Sequence, residues 1–173
     1  MTLIIHTMSE GSTAPAERGR NEPKADGADR TRPSERPSRL WLLLVEDDPW
    51  DQMLVNDIVK ATNLDAKLTL VKDGEKAVRC IERWSGSDRP DLVLLDLNLA
   101  KTDAREVLER IRSKDPTVRV AALTGFDMQS DIAKEWEGRV DGYLVKPIGL
   151  DELDRTAEKL KALMQSILPR DAF

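Results

Sequence analysis

The sequence predicts an α/β fold in which helices cover both faces of one parallel sheet. Five apolar segments alternate with five amphipathic segments between residues 40 and 167. The first apolar segment, Leu40 to Val45, is a continuous run, which is typical of a strand that is buried on both faces. Strands that alternate with helices form parallel sheets, which bind ligands outside the carboxyl ends of their strands. The residues that follow each strand are therefore the candidates for a functional site.

The first predicted strand is followed by acidic residues that begin a helix. Asp48 and Pro49 are typical of a helix start, where acids face the positive end of the helix dipole. The predicted helices are Trp50 to Ala61, Gly74 to Trp84, Asp103 to Ser113, Ser130 to Glu137 and Asp151 to Ile167. The other predicted strands are Lys67 to Val71, Leu92 to Leu95, Val118 to Leu123 and Gly142 to Val145.

The chain divides into a polar leader and one domain. Residues 9–39 are rich in Ser, Pro, Gly and charged residues and hold almost no large apolar side chains. Such a segment cannot bury enough apolar surface to offset the entropy lost on ordering. We therefore expect a disordered N-terminal tail at 1–39, a single domain at 40–168 and a short C-terminal tail at 169–173.

Composition argues against several classes of function. The formal net charge of −5 argues against sequence-independent binding to nucleic acid, which needs a basic face. The single cysteine, Cys80, allows no intrachain disulfide, as is usual in a reducing cytoplasm. No run of 18 or more apolar residues predicts a membrane span. We expect a cytoplasmic protein that binds neither nucleic acid nor membranes.

Polar side chains follow four of the five predicted strands. They are Glu46, Asp47 and Asp48 after the first strand, Asp96 and Asn98 after the third, Thr124 after the fourth and Lys146 after the fifth. Carboxylates that converge either raise their pKa values or bind a cation, and a hard cation such as Mg²⁺ suits oxygen ligands. A carboxylate beside a metal, an ammonium and a hydroxyl can attack phosphorus. Each residue alone is commonly a turn or cap residue, but their joint occurrence favours a site.

Four motifs in order, LLLVEDDP, DLVLLDLNL, AALTGF and YLVKP, resemble the receiver domains of two-component response regulators. The resemblance extends from about Leu40 to Ile167. It implies a flavodoxin-like, five-stranded parallel sheet in the strand order 2-1-3-4-5. It also implies that Asp96 accepts a phosphoryl group from a histidine kinase.

The resemblance assigns roles to the other strand-end residues. Mg²⁺ would be bound by Asp47, Asp96 and the backbone carbonyl of Asn98, with Glu46 acting through water. Thr124 would bond a phosphoryl oxygen, and Lys146 would pair with the phosphate. Tyr143 would be the aromatic switch residue that turns inward beside Thr124. The Lys146–Pro147 peptide bond would be cis, an isomer that occurs chiefly before proline.

The run DLNLAKTDAREVLERIRS is most similar to the small regulators that pair with bacterial phytochrome kinases. In that subgroup a proline is expected where Ala100 stands and a glycine where Ala104 stands. Pro presets a turn dihedral and Gly permits positive φ, so we expect an altered loop after Asp96. Since the chain ends at Phe173, we expect output in trans on a partner protein. The resemblance also implies that the face of the fourth helix, fifth strand and fifth helix can pair two copies as a homodimer.

Two alternatives remain open. An Asp-nucleophile phosphatase of the haloacid-dehalogenase type would carry a second carboxylate two residues after the nucleophile, where Asn98 stands, and its nucleophile would follow the first strand. A degenerate receiver would act as an interaction module without phosphorylation. Ala100 and Ala104 favour this second alternative, whereas the retained acidic residues and Lys146 oppose it. We expect no enzyme activity beyond the protein's own phosphorylation and dephosphorylation.

Overall fold

In the part of the chain that the structure describes, the sheet has six parallel strands. The computed structural model describes residues 6–7, 39–86, 88–125 and 131–168. The strands are β1 His6–Thr7, β2 Leu40–Val45, β3 Ala66–Val71, β4 Leu92–Asp96, β5 Arg119–Thr124 and β6 Gly142–Val145. Their order is β1-β3-β2-β4-β5-β6, and every neighbouring pair is parallel. The five predicted strands are thus confirmed in the order 2-1-3-4-5.

The N-terminal segment contributes only β1 to the described structure. These two residues pair with the outer edge of β3, with His6 opposite Thr69. They belong to the segment predicted to be a disordered tail, and the rest of residues 1–38 lies outside the described residues. Residues 169–173, predicted to be a short C-terminal tail, also lie outside them.

Among the described residues, five α-helices connect and cover the strands, as predicted. They are α1 Pro49–Ala61, α2 Gly74–Glu82, α3 Ala104–Lys114, α4 Asp131–Trp136 and α5 Leu153–Ile167, the last preceded by a 3-10 turn at Leu150–Glu152. Aspartates cap the first three helices, because Asp48, Asp73 and Asp103 each accept hydrogen bonds from backbone N–H groups of the first turn. In the described part of the chain, no helix is both long and apolar enough to cross a membrane.

The sheet separates two apolar cores because successive residues of each strand point to opposite faces. Leu42 and Leu44 of β2 pack with residues of α1 and α5, whereas Leu43 and Val45 pack with residues of α2, α3 and α4. All four of these side chains are fully buried. This explains why β2 is apolar at successive positions.

The parallel register brings the carboxyl ends of the central strands to one edge. Val45 at the end of β2 lies opposite Leu95 in β4, and Asp96 lies opposite Leu123 in β5. Thr124 at the end of β5 lies opposite Val145 at the end of β6. The strand-end residues singled out in the sequence therefore meet at this edge.

Candidate functional site

Three carboxylates converge at the carboxyl edge of the sheet. Glu46, Asp47 and Asp96 each offer one oxygen, and these oxygens all lie within 4.8 Å of one another. Glu46 and Asp96 are buried, whereas Asp47 is half-buried. Oxygen ligands of this kind at this spacing fit a hard divalent cation such as Mg²⁺. We call these three residues the acidic cluster.

Lys146 projects its ammonium into this edge from the residue after β6. Its backbone N–H donates to the carbonyl of Thr124 at 2.8 Å, which holds the residue in line with β6. Its Nζ lies 2.7 Å from Glu46 Oε2, 2.6 Å from Asp51 Oδ2 and 3.0 Å from Asp96 Oδ1. Burial opposes the charged form of Lys146, but the hydrogen bonds to Asp51 and Glu46 outweigh it and raise its pKa. Lys146 is therefore a fixed positive charge.

Glu46 is held in an environment that resists ionisation. Its side chain is fully buried, and Asp96 adds a second negative charge beside it. Burial raises the pKa of Glu46 to about 7, although the hydrogen bond with Lys146 opposes that shift. Its other oxygen accepts from the backbone N–H of Asp48 at 3.1 Å. The buried Gln52 amide donates to the backbone carbonyl of Glu46 at 2.9 Å, which ties α1 to the end of β2.

Asp47 and Asp48, the two acids that follow Glu46, accept different hydrogen bonds. Asp47 Oδ2 accepts a hydrogen bond from the backbone N–H of Ala100 at 2.8 Å. Asp48 points away from the cluster, since its Oδ1 accepts from the backbone N–H groups of Trp50 and Asp51 at the start of α1. Of these two residues, only Asp47 therefore faces the acidic cluster.

The predicted switch residues lie on the neighbouring strands β5 and β6. Thr124 is buried at the last position of β5. Tyr143 is half-buried in β6, opposite Ala122, and packs against the core that contains Trp136 of α4. Burial, and secondarily the charge of Glu137, raises the pKa of the Tyr143 phenol.

A protein-family model described as the response regulator receiver domain matches residues 42–158, which is more than half of the chain. The chain belongs to the response regulator receiver family. It is a receiver domain of two-component signalling, as the motifs predicted.

Proteins similar to this receiver domain include a response regulator, compared by sequence, and two solved structures. Response regulator Rcp1 from Synechocystis sp. is 34% identical over 126 residues, which cover 70% of this chain and 86% of Rcp1. The structure of the phosphorylated cyanobacterial phytochrome response regulator RcpA has a TM-score of 0.57 and 31% identity, covering 75% of this chain and 94% of RcpA. The receiver domain of sensor histidine kinase PA1611 from Pseudomonas aeruginosa, with a magnesium ion coordinated in its active-site cleft, has a TM-score of 0.58 and 30% identity, covering 75% of this chain and 98% of that one.

The receiver domain departs from one sequence-based prediction. The Lys146–Pro147 peptide bond was expected to be cis, but no cis peptide bond occurs among the described residues of this chain. The expectation was wrong here, because the trans isomer remains the lower-energy form even before proline. Asn98 lies two residues after Asp96 on the exposed loop that leads to α3, where the motif predicted it.

Asp51 is a site residue of the receiver domain that the sequence analysis missed. It is the third residue of α1, and its carboxylate contacts Lys146. Side chains in a helix tilt toward the helix N-terminus. An acid in the first turn of α1 therefore points back toward the end of β2, and this rule is the signal that could have identified it.

Proposed function

We propose that this receiver domain accepts a phosphoryl group on Asp96 from a histidine kinase, in a reaction that depends on Mg²⁺. The observation that carries the proposal is the contact of Lys146 Nζ with Asp96 Oδ1 at 3.0 Å, inside the acidic cluster. A buried carboxylate that shares a cation site and a fixed ammonium is suited to act as a nucleophile toward phosphorus.

The transfer needs one nucleophile and a set of positive charges. An oxygen of Asp96 attacks the phosphorus of a phosphohistidine, the P–N bond breaks, and its electron pair returns to the imidazole. The ring leaves as neutral imidazole when its other nitrogen carries a proton. Lys146 stabilises the charge on the phosphoryl oxygens. Asp47, Asp96 and the backbone carbonyl of Asn98, with Glu46 through water, would hold Mg²⁺, which would supply further positive charge.

The phosphoryl group then shifts the domain between two conformations. The hydroxyl of Thr124 bonds a phosphoryl oxygen and moves inward, which leaves space for Tyr143 to turn toward it. This is a population shift, driven by contacts that exist only with the acyl phosphate. Water resets the domain by attacking phosphorus, so that Asp96 leaves as a carboxylate and inorganic phosphate is released.

We propose further that the output acts in trans and that the kinase is of the phytochrome type. The phytochrome assignment is supported by the likeness to RcpA, a cyanobacterial phytochrome response regulator. The same role makes the domain a substrate of its kinase rather than an enzyme that turns over other molecules. A homodimer through α4, β6 and α5 stays a prediction.

The test is phosphotransfer to wild-type protein, Asp96→Asn and the control Asp57→Asn. Asp57 is an exposed residue of α1 that pairs with Lys60, so its change removes the same charge away from the site. With Mg²⁺ and a phosphorylated histidine kinase, we expect a covalent adduct by intact-protein mass on wild type and Asp57→Asn only. Equal labelling of Asp96→Asn would overturn the assignment of the acceptor.

Phosphotransfer and two further measurements separate the two alternatives. A degenerate receiver would give no adduct with kinase and no spectral response to beryllofluoride, an analogue of the phosphoryl group. An Asp-nucleophile phosphatase would release phosphate repeatedly from a phosphomonoester with no kinase present. We expect an adduct with the kinase and a spectral response to beryllofluoride, and we expect no repeated release of phosphate from a phosphomonoester.

A further inference from the structure

The ammonium of Lys146 has a full set of acceptors before any phosphoryl group arrives. It carries three N–H donors and contacts three carboxylates, those of Glu46, Asp51 and Asp96. The Lys146 side chain is only 12% exposed, so water cannot easily exchange with these partners. A phosphoryl group bonded to Asp96 replaces that carboxylate as an acceptor, and it must then share the ammonium with Glu46 and Asp51.

Glu46 and Asp51 differ in how readily they can release the ammonium. Glu46 is fully buried, so that release would leave its Oε2 without solvent. The Asp51 side chain is 34% exposed, so water can solvate its carboxylate after release. Asp51 is also outside the acidic cluster, since the three clustered carboxylates are Glu46, Asp47 and Asp96. Of these two partners, Asp51 is thus the one that costs less to displace.

We propose that Asp51 is a positioning residue that holds Lys146 in the resting state and competes with the phosphoryl group for its ammonium. This inference rests on the proposed function of Asp96 and names a residue that regulates the same site. In the absence of phosphate, Asp51 and Glu46 together hold Lys146 beside Asp96. Asp51 also opposes the arrival of a phosphoryl dianion, both by occupying an N–H group and by like-charge repulsion.

The sign of one measurement separates this role from a merely structural one. If Asp51 only kept the site folded, its loss would weaken anion binding. If Asp51 competes for Lys146, Asp51→Asn instead strengthens anion binding, because Glu46 and Asp96 still hold the lysine. A return to wild-type affinity in Asp51→Glu, which restores the charge, would show that the charge matters rather than the packing.

The experiment titrates beryllofluoride into the full chain at saturating Mg²⁺ and follows tryptophan fluorescence, since Trp50 lies next to Asp51 and is 77% exposed. For Asp51→Asn we expect the dissociation constant to fall about two- to fivefold, the range set by partly exposed ion pairs. Asp57→Asn on the same helix is the matched control and should not change it. Asp51→Ser repeats the test without an amide, and thermal unfolding shows whether each variant is folded.

The outcomes distinguish this inference from the proposal on which it rests. Wild-type protein that binds no beryllofluoride overturns the proposed function, and this inference with it. Wild-type protein that binds, together with Asp51→Asn and Asp51→Ser variants that bind equally or more weakly, overturns the role of Asp51 alone. Tighter binding by both variants, with Asp51→Glu equal to wild type, supports it.

Discussion

The backbone N–H of Ala100 donates a hydrogen bond to Asp47 Oδ2 at 2.8 Å. The bond joins the loop after β4 to the acidic cluster across 53 positions of sequence. Proline, which the sequence resemblance led us to expect at position 100, has no N–H and cannot make this bond. The alanine is therefore not a neutral departure from the motif, because it adds a donor to one of the predicted metal ligands.

Ala100→Pro should change the affinity for Mg²⁺. Loss of the N–H donor leaves Asp47 Oδ2 with more electron density for a cation. If the hydrogen bond in the wild type weakens by roughly 1.4 kcal/mol when the metal binds, the variant avoids this cost. We therefore expect Ala100→Pro to bind Mg²⁺ more tightly, by up to about tenfold. Isothermal titration with Mg²⁺ measures it, and Ala100→Ser, which keeps the N–H, is the control. Weaker binding by Ala100→Pro would show instead that the bond holds Asp47 ready for the metal.

Glu46 should make the stability of the metal-free protein depend on pH. Its pKa is raised from 4.5 to about 7 in the folded state, so the folded state binds the extra proton between those two values. The contribution of this proton to the free energy of unfolding is at its maximum below about pH 4.5 and is lost as the pH rises through about 7. The loss is at most about 3 kcal/mol, because one pKa unit corresponds to roughly 1.4 kcal/mol.

Glu46→Gln tests that dependence, because it removes the titrating group at nearly constant volume. Urea unfolding in the presence of a chelator, at several values between pH 4.5 and 7.5, should give a flatter profile for the variant than for the wild type. Asp57→Asn serves as the surface control. Parallel profiles for Glu46→Gln and wild type would assign the pH dependence to other groups.

Thr124→Val should separate phosphoryl binding from the switch. Valine keeps the volume of Thr124 but cannot donate to a phosphoryl oxygen. We expect the variant to bind beryllofluoride with Mg²⁺ while Tyr143 keeps its resting signal. The chain has one tyrosine, so NMR of ¹³C-labelled tyrosine reports on Tyr143 without assignment. A Tyr143 signal that moves equally in wild type and variant would exclude Thr124 as the coupling residue.

Asp141 anchors the opposite end of the sheet and should contribute to stability. Its carboxylate accepts from Arg119 at 2.7 Å, from Arg112 at 2.9 Å and from the backbone N–H of Val120 at 2.9 Å. Burial opposes ionisation, but these donors outweigh it and lower the pKa of Asp141, so its contribution is present above about pH 4 and lost in acid.

Asp141→Asn should therefore lower the free energy of unfolding at pH 7 by about 1–3 kcal/mol. Urea unfolding measures this loss. Asp57→Asn, whose side chain is half exposed, should stay within about 0.5 kcal/mol of wild type. A loss in Asp141→Asn no larger than in the control would show that the two arginines find other acceptors.

The sequence predicted the features of the site that depend on strand order. It did not predict the contacts that depend on the orientation of a single side chain or backbone group. Asp96 and Lys146 could be placed together because the carboxyl ends of parallel strands share one edge. The contact of Asp51 with Lys146 depends on how the first turn of α1 faces that edge, which no strand pattern states. The donor on Asp47 is the backbone N–H of Ala100, and since every residue except proline carries such a donor, the sequence alone does not show which one bonds Asp47. The isomer before Pro147 was inferred from resemblance alone.

The contact of Lys146 with Glu46 spans 100 positions, which has a consequence for folding. The strands that carry the three clustered carboxylates precede β6 in the chain, so the acids can gather before their cation arrives. Closing so long a loop is entropically costly, and contacts between distant residues form slowly. We therefore expect the charged pocket to form late in folding, and a nascent chain that ends before β6 to carry clustered negative charge without its counter-ion.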